Sequence, residues 1–143
     1  MNMKTKVAEI MTKGVFSVGI DDTIHKADEI MRDEKVRQVP VLENKKFIGL
    51  ITERSLMEYT LRQLYDYDDE YGEIGHNKIT DFTQVMKRDV KIIYPEDSVK
   101  KAVENMAKYK LDCMPVVDWD KNLVGILTFV DILYFLNKKL DLD

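Results

Sequence analysis

Apolar residues in this chain come in short bursts whose spacing alternates between that of strands and that of helices. Val7 to Met11 reads as a brief lead-in helix, and Val15, Phe16 and Val18 as a short strand. Asp21, Asp22 and Thr23 then supply N-cap chemistry. Ile24, Ala27, Ile30 and Met31 follow at i, i+3, i+6 and i+7, which predicts a helix with one buried face. Val39 to Leu42 and Phe47 to Ile51 are strands around the polar turn Glu43 to Lys46, and Glu53 to Leu64 is a second helix. The order then returns: a strand from Val90 to Ile93, a helix from Ser98 to Lys108 with Val99, Ala102, Val103 and Met106 inward, strands from Cys113 to Val117 and Leu123 to Leu127 around the turn Asp118 to Asn122, and a closing helix from Phe129 to Leu140. Each half is β-α-β-β-α, so the expected class is α+β (α/β).

The second half repeats the first residue by residue. Val15, Asp22, Lys26, Ala27, Glu29, Met31, Lys35, Pro40 and Val41 recur at a constant offset as Val90, Asp97, Lys101, Ala102, Glu104, Met106, Lys110, Pro115 and Val116. One inserted residue later, Gly49 and Thr52 match Gly125 and Thr128. Two copies of a unit too small to bury a good core alone are expected to pack about a pseudo-twofold axis, with a ligand cleft between them.

Composition narrows the function classes. A chain of 143 residues, 45% hydrophobic and 34% charged, is of globular type and fits one domain or two half-size units sharing a core. A net charge of −4 gives no overall basic field, so a nucleic-acid partner is not expected. The single cysteine, Cys113, excludes an intrachain disulfide and a multi-cysteine metal site, and is expected to be a small buried side chain. The longest apolar run, around Val124 to Leu136, is too short to span a bilayer and contains Asp131. Residues 1 to 12 have no signal-like apolar stretch, so a cytoplasmic protein without membrane partners is expected. The connector from Tyr65 onward is acidic and tyrosine-rich, fails the calcium-loop pattern, and reads as a solvated link.

Val-Pro-Val-Leu, a polar turn and Phe-Ile-Gly-Leu-Ile-Thr before a helix resemble a cystathionine-β-synthase (CBS) domain. So do Met-Pro-Val-Val, a turn and Leu-Val-Gly-Ile-Leu-Thr-Phe-Val-Asp in the second copy, and both lead-in segments, Val7 to Thr12 and Phe82 to Lys87. The resemblance implies a tandem pair, or Bateman module: repeat one over residues 5–65, an acidic linker over 66–78, repeat two over 79–140, packed through their sheets. It also implies an adenosyl ligand, a regulated partner protein and a homodimer.

The residues themselves suggest where a ligand would sit. Gly125 lets a backbone approach closely, Thr128 stands at a helix start, and Asp131, three residues on, shares its face. Its carboxylate suits two vicinal hydroxyls; a capping threonine with a solvated aspartate is the plainer alternative. By resemblance the threonine lies near phosphate and ribose and the aspartate holds the ribose. Adenine would lie against Met86, Val90 and Lys91 and against the strand leading to Pro115, with Leu111, Asp112 and Met114; ordinary core packing accounts for such apolar residues equally well. Phosphate would meet Arg37 of the opposite repeat, which is otherwise a surface arginine.

The first copy departs from this set. Ser55 stands where Asp131 does, and Asp112 stands where Arg37 does, so the site of Thr52, Ser55, Val15, Val39 and Pro40 is expected to be weaker, empty or suited to an uncharged adenosyl group. His25 and His76 lack ligand-spaced partners, and no phosphate loop or nucleophile motif occurs. The expectation is a non-enzymatic sensor of AMP, ADP or ATP needing no cofactor. A dimerisation scaffold with degenerate sites, or a module for another adenosyl ligand such as S-adenosylmethionine, are the alternatives.

Overall fold

The computed structural model describes residues 4–66 and 82–140. Most of the expected connector, from residue 67 to 78 and including Gly72, Gly75 and His76, lies outside the described residues. The elements are α1 (Val7–Ile10), β1 (Val18–Gly19), α2 (Ile24–Glu34), β2 (Gln38–Glu43), β3 (Lys46–Thr52), α3 (Glu53–Asp66), a 3₁₀ turn (Phe82–Gln84), α4 (Val99–Tyr109), β4 (Cys113–Val117), β5 (Leu123–Thr128) and α5 (Phe129–Leu140). The fold is α+β, as the pattern of the sequence predicts.

The chain forms two compact units, and their boundaries cut across the repeats. One unit is Phe16–Val90; the other joins Met1–Val15 to Lys91–Asp143. Each lead-in segment therefore belongs with the sheet of the other repeat. In the first unit β2 pairs antiparallel with β3 and parallel with β1. Lys87 then joins the edge of β3: Leu50 N–H donates to Lys87 O at 2.9 Å and Lys87 N–H to Leu50 O at 2.8 Å. In the second unit β4 pairs antiparallel with β5, and Thr12 and Ile126 exchange the same two bonds at 2.9 Å. The two cores follow suit. Phe82, Val85 and Met86 pack with Val39, Val41, Ile51 and Met31, and Val7 packs with Val99, Met106, Val116 and Leu127.

The local devices are duplicated as closely as the sequence. Thr23 and Ser98 cap α2 and α4 by accepting from Lys26 N–H and Lys101 N–H at 3.1 and 3.0 Å. The Asp22 carboxylate accepts from Gly19 N–H at 2.7 Å, and that of Asp97 from Tyr94 N–H at 3.0 Å. The Gly19 bond, followed by Lys26, holds the Asp22 carboxyl below its usual range. Lys26 and Lys101 reach back to these aspartates at 3.2 and 3.3 Å. Lys35 and Lys110 both end their helices in the left-handed region, at φ 55° and 56°. The leading strands are shorter than their apolar runs. In the first copy Ile20 N–H still donates to Leu42 O at 2.8 Å, whereas the equivalent residue of the second is Pro95, which has no N–H to give, so β1 has two residues and the run from Val90 keeps only a bridge from Ile93 to Val116.

Pro115 is tolerated inside a sheet for a geometric reason. Its carbonyl accepts from Ile93 N–H at 3.0 Å, so its missing donor faces that same sparse edge and β5 loses nothing. The turn after β2 has Asn44 and Lys45 both at positive φ, the two-residue hairpin geometry. The turn after β4, residues 118–122, carries one inserted residue relative to the first copy. It is closed by the Asp118 carboxylate, which accepts from Asp120 and Asn122 N–H at 2.9 Å, and the added Trp119 stacks on Tyr94 with centroids 4.2 Å apart.

Gly49 and Gly125 are where the lead-in segments close on the sheets. A Cβ at Gly49 would meet Met86 Sδ at 2.6 Å and Lys87 O at 3.1 Å; one at Gly125 would meet Met11 Sδ at 2.6 Å and Thr12 O at 3.0 Å. The methionines can swing, but both carbonyls are pinned by sheet bonds. Gly49→Ala and Gly125→Ala are each expected to destabilise by about 1–3 kcal/mol in urea unfolding. Gly19→Ala, whose Cβ would lie an ordinary 3.5 Å from Asp22 Oδ2, is expected to be near neutral. Equal effects at all three positions would contradict the packing account.

Candidate functional site

The start of α5 carries the densest side-chain hydrogen bonding tied to the candidate residues. Thr128 ends β5, and the next N–H, of Phe129, donates to Asp112 O at 2.9 Å. Thr128 N–H donates to Asp131 Oδ2 at 3.0 Å, and Asp131 N–H donates to Thr128 Oγ1 at 3.2 Å, a reciprocal capping box. The Thr128 hydroxyl also lies 3.2 Å from Oδ2. A third residue completes the cluster: Thr12 Oγ1 lies 3.0 Å from Asp131 Oδ1 and 3.2 Å from Oδ2 and donates to the carboxylate. Asp131 is half-buried, and it borders an open groove of about 670 Å³ with Glu9, Ile10, Tyr134, Phe135 and Lys138.

The matching position in the other unit is chemically different. Thr52 N–H donates to Ser55 Oγ at 2.9 Å, Ser55 N–H donates to Thr52 Oγ1 at 3.0 Å, and the Ser55 hydroxyl donates to Thr52 O at 3.0 Å. Ser55 is 4% exposed and neutral, and its hydroxyl both donates and accepts inside its own turn. Glu53 N–H donates to Arg37 O at 2.8 Å, the role that Asp112 O has for Phe129. One helix start thus presents a carboxylate between two threonines, and its counterpart presents a closed serine cap.

Seven of the named candidates share a unit with Asp131. Thr128 is bonded to it, and Asp112 lies alongside through its carbonyl. Met114 and Pro115 are buried in β4, and half-buried Leu111 packs on the same core. Lys91 is exposed, its ammonium 4.4 Å from the Tyr109 ring centroid. Val15 is half-buried where the chain leaves this unit. Arg37, Met86 and Val90 belong to the other unit, with Val39, Pro40, Thr52 and Ser55. There Met86 is buried under Gly49, Val39 and Pro40 are buried in β2, Val90 is half-buried and Arg37 is exposed. Thr12 was not singled out by the reading of the sequence. Its signal was the mismatch with Lys87 between two otherwise parallel lead-in segments.

Cys113 is buried, as expected. Burial first, and the charge of Asp112 second, push its thiol up to about 12, so at neutral pH it is a protonated packing group. Among the described residues no cluster of histidine, cysteine and carboxylates is arranged to hold a metal ion, and no helix is long and apolar enough to cross a membrane.

The family model for the CBS domain matches residues 7–62 and 81–138, and the chain belongs to that family. Among curated relatives it is similar to inosine-5'-monophosphate dehydrogenase of Korarchaeum cryptofilum, with 26% identity over 129 residues. It is also similar to homoserine O-acetyltransferase of Methanosarcina acetivorans, with 25% identity over 123 residues. These matches cover 90% and 85% of this chain but 24% and 20% of the relatives, so the chain spans about a quarter or less of their length. Among solved structures it resembles a Vibrio cholerae protein described as a candidate acetoin utilization protein (AcuB), with a TM-score of 0.82, 26% identity and coverage of 99% and 98% of the two chains. It also shares its fold with the CBS domain pair of protein MJ0100, solved with 5′-methylthioadenosine and S-adenosyl-L-methionine, with a TM-score of 0.77, 24% identity and coverage of 94% and 98%.

Proposed function

We propose that this chain is a regulatory module without catalysis of its own that binds an adenosyl ligand, an adenine nucleotide first among the candidates, with its ribose at Asp131. The observation that carries the reading is the Asp131 carboxylate fixed at the start of α5 by Thr12 and Thr128. A carboxylate offers about four acceptor positions. Oδ2 takes contacts from three donors and Oδ1 from Thr12 alone, which leaves Oδ1 open to a ribose hydroxyl. The CBS family membership, and the adenosyl compounds bound by the MJ0100 pair, support the ligand class. The closed cap of Ser55 supports an unequal second site. In this reading the ligand regulates a partner protein.

The apolar outer face of α5 favours a second role, self-association. Ile132 and Phe135 are buried, yet Val130, Leu133 and Tyr134 on other faces of the same helix are exposed, Leu133 at 55% and Tyr134 at 72%. A contiguous exposed apolar face is normally covered, and Met57, Leu61 and Leu64 of α3 are also exposed. A homodimer through these helices is the matching arrangement.

Thermal unfolding with AMP, ADP, ATP and S-adenosylmethionine in turn tests the ligand reading. A ligand at a hundred times its dissociation constant adds about 2.7 kcal/mol, a rise of roughly 5–10 °C for a chain of this size. Asp131→Ala is expected to abolish the rise. Ser55→Ala is expected to lower the ligand-free midpoint, since it removes a buried cap, and to leave the rise intact. No rise with any of the four at millimolar concentration contradicts the reading. For the dimer, sedimentation equilibrium is expected to return twice the chain mass for the wild type and a monomer for Leu133→Asp; a wild-type monomer at every concentration refutes it.

A further inference from the structure

The Thr12 hydroxyl has one proton, and both of its short contacts are to the Asp131 carboxylate, so that proton is spent there. Its two lone pairs accept from no described residue. Thr12 Oγ1 and Asp131 Oδ1 therefore stand side by side, 3.0 Å apart, as two acceptors with open directions. Two neighbouring acceptors suit a group with two neighbouring donors. A vicinal diol is such a group, and a single hydroxyl uses only half of the pair. Thr12 is fixed for this role by its backbone, since its N–H and carbonyl both pair with Ile126 of β5. The equivalent position of the other lead-in segment is Lys87, whose ammonium is donor-only, and the residue equivalent to Asp131 is Ser55. The two-acceptor edge is therefore confined to one of the two repeat-related positions.

We infer that Thr12 is a specificity-determining residue of the Asp131 site. Its hydroxyl holds the carboxylate in place and accepts from the second hydroxyl of an intact ribose diol, so the site distinguishes ribonucleosides from deoxyribonucleosides. This rests on the reading of Asp131 as a ribose acceptor. Thr12 deepens that reading by assigning the two diol hydroxyls to two different residues, one from the lead-in segment and one from α5.

The test is calorimetric titration of the full chain with adenosine, 2′-deoxyadenosine and 3′-deoxyadenosine. The wild type is expected to prefer adenosine over each deoxynucleoside by about three- to tenfold, the size of one hydrogen bond. Thr12→Val keeps the shape and removes the acceptor. It is expected to weaken adenosine binding by a similar factor and to erase the preference over one deoxynucleoside while keeping it over the other. Thr12→Ser is expected to retain both preferences. Thr12→Lys installs the residue that the other lead-in segment already tolerates, and is expected to lose the same preference as Thr12→Val, which keeps the test available should the valine variant unfold. A merely structural role for Thr12 would weaken all three ligands alike and leave the ratios unchanged, and that result overturns the inference while sparing the Asp131 reading. A wild type that binds none of the three, or binds them equally, overturns both.

Discussion

Each sheet of this chain is finished by a segment from the other repeat, and most of the structure follows from that exchange. The backbone of Thr12 pairs with Ile126 and that of Lys87 with Leu50. Both approaches need a glycine on the receiving strand, because a Cβ at Gly125 or Gly49 would press on the arriving carbonyl and methionine. The exchange also divides the apolar residues. Val7 serves the core beneath α4 and α5, while Phe82, Val85 and Met86 serve the core beneath α2 and α3. Neither repeat as a contiguous stretch contains the whole of its own core.

The same exchange delivers chemistry. Thr12 arrives at the α5 cap from more than a hundred positions away in the chain, as the separation of 119 between it and Asp131 records. A capping box of Thr128 and Asp131 is a local matter that any helix start can have. The third donor is a consequence of topology, and it aligns the carboxylate with a second acceptor. At the other helix start the arriving residue is Lys87 and the local partner is Ser55, whose hydroxyl closes on the backbone of its own turn. Two frames built alike thus differ in charge and in what they leave open.

The sequence was most legible where the two copies agree. Asp22 and Asp97, Lys26 and Lys101, Ala27 and Ala102, Met31 and Met106, and Gly49 and Gly125 prove to be turn, ion-pair, core and close-approach residues, each doing the same thing twice. Identity between the copies therefore marks the frame. Helix positions were readable from apolar spacing, and the hairpins from their polar turns. The leading strands were over-read, because a run such as Val90 to Ile93 shows its β-propensity but not that it meets β4 only at Ile93, with Pro95 unable to donate the next ladder bond. The exchange of lead-in segments was not readable, since periodicity reports which face is buried and not which sheet receives it. Thr12 was hidden for the same reason. Its bond spans the chain, and only its disagreement with Lys87 hinted that the two lead-in segments have separate tasks.

Agreement builds the frame, and disagreement at Thr12, Asp131, Lys87 and Ser55 separates the two sites, so one ribose-bearing ligand should be held per chain. The most direct measurement is the stoichiometry of AMP binding by isothermal titration calorimetry, compared between the wild type and Asp131→Ala. The account predicts a single strong equivalent per chain that vanishes in the variant. Two equivalents of equal affinity, or a single one that survives the loss of the carboxylate, would contradict it.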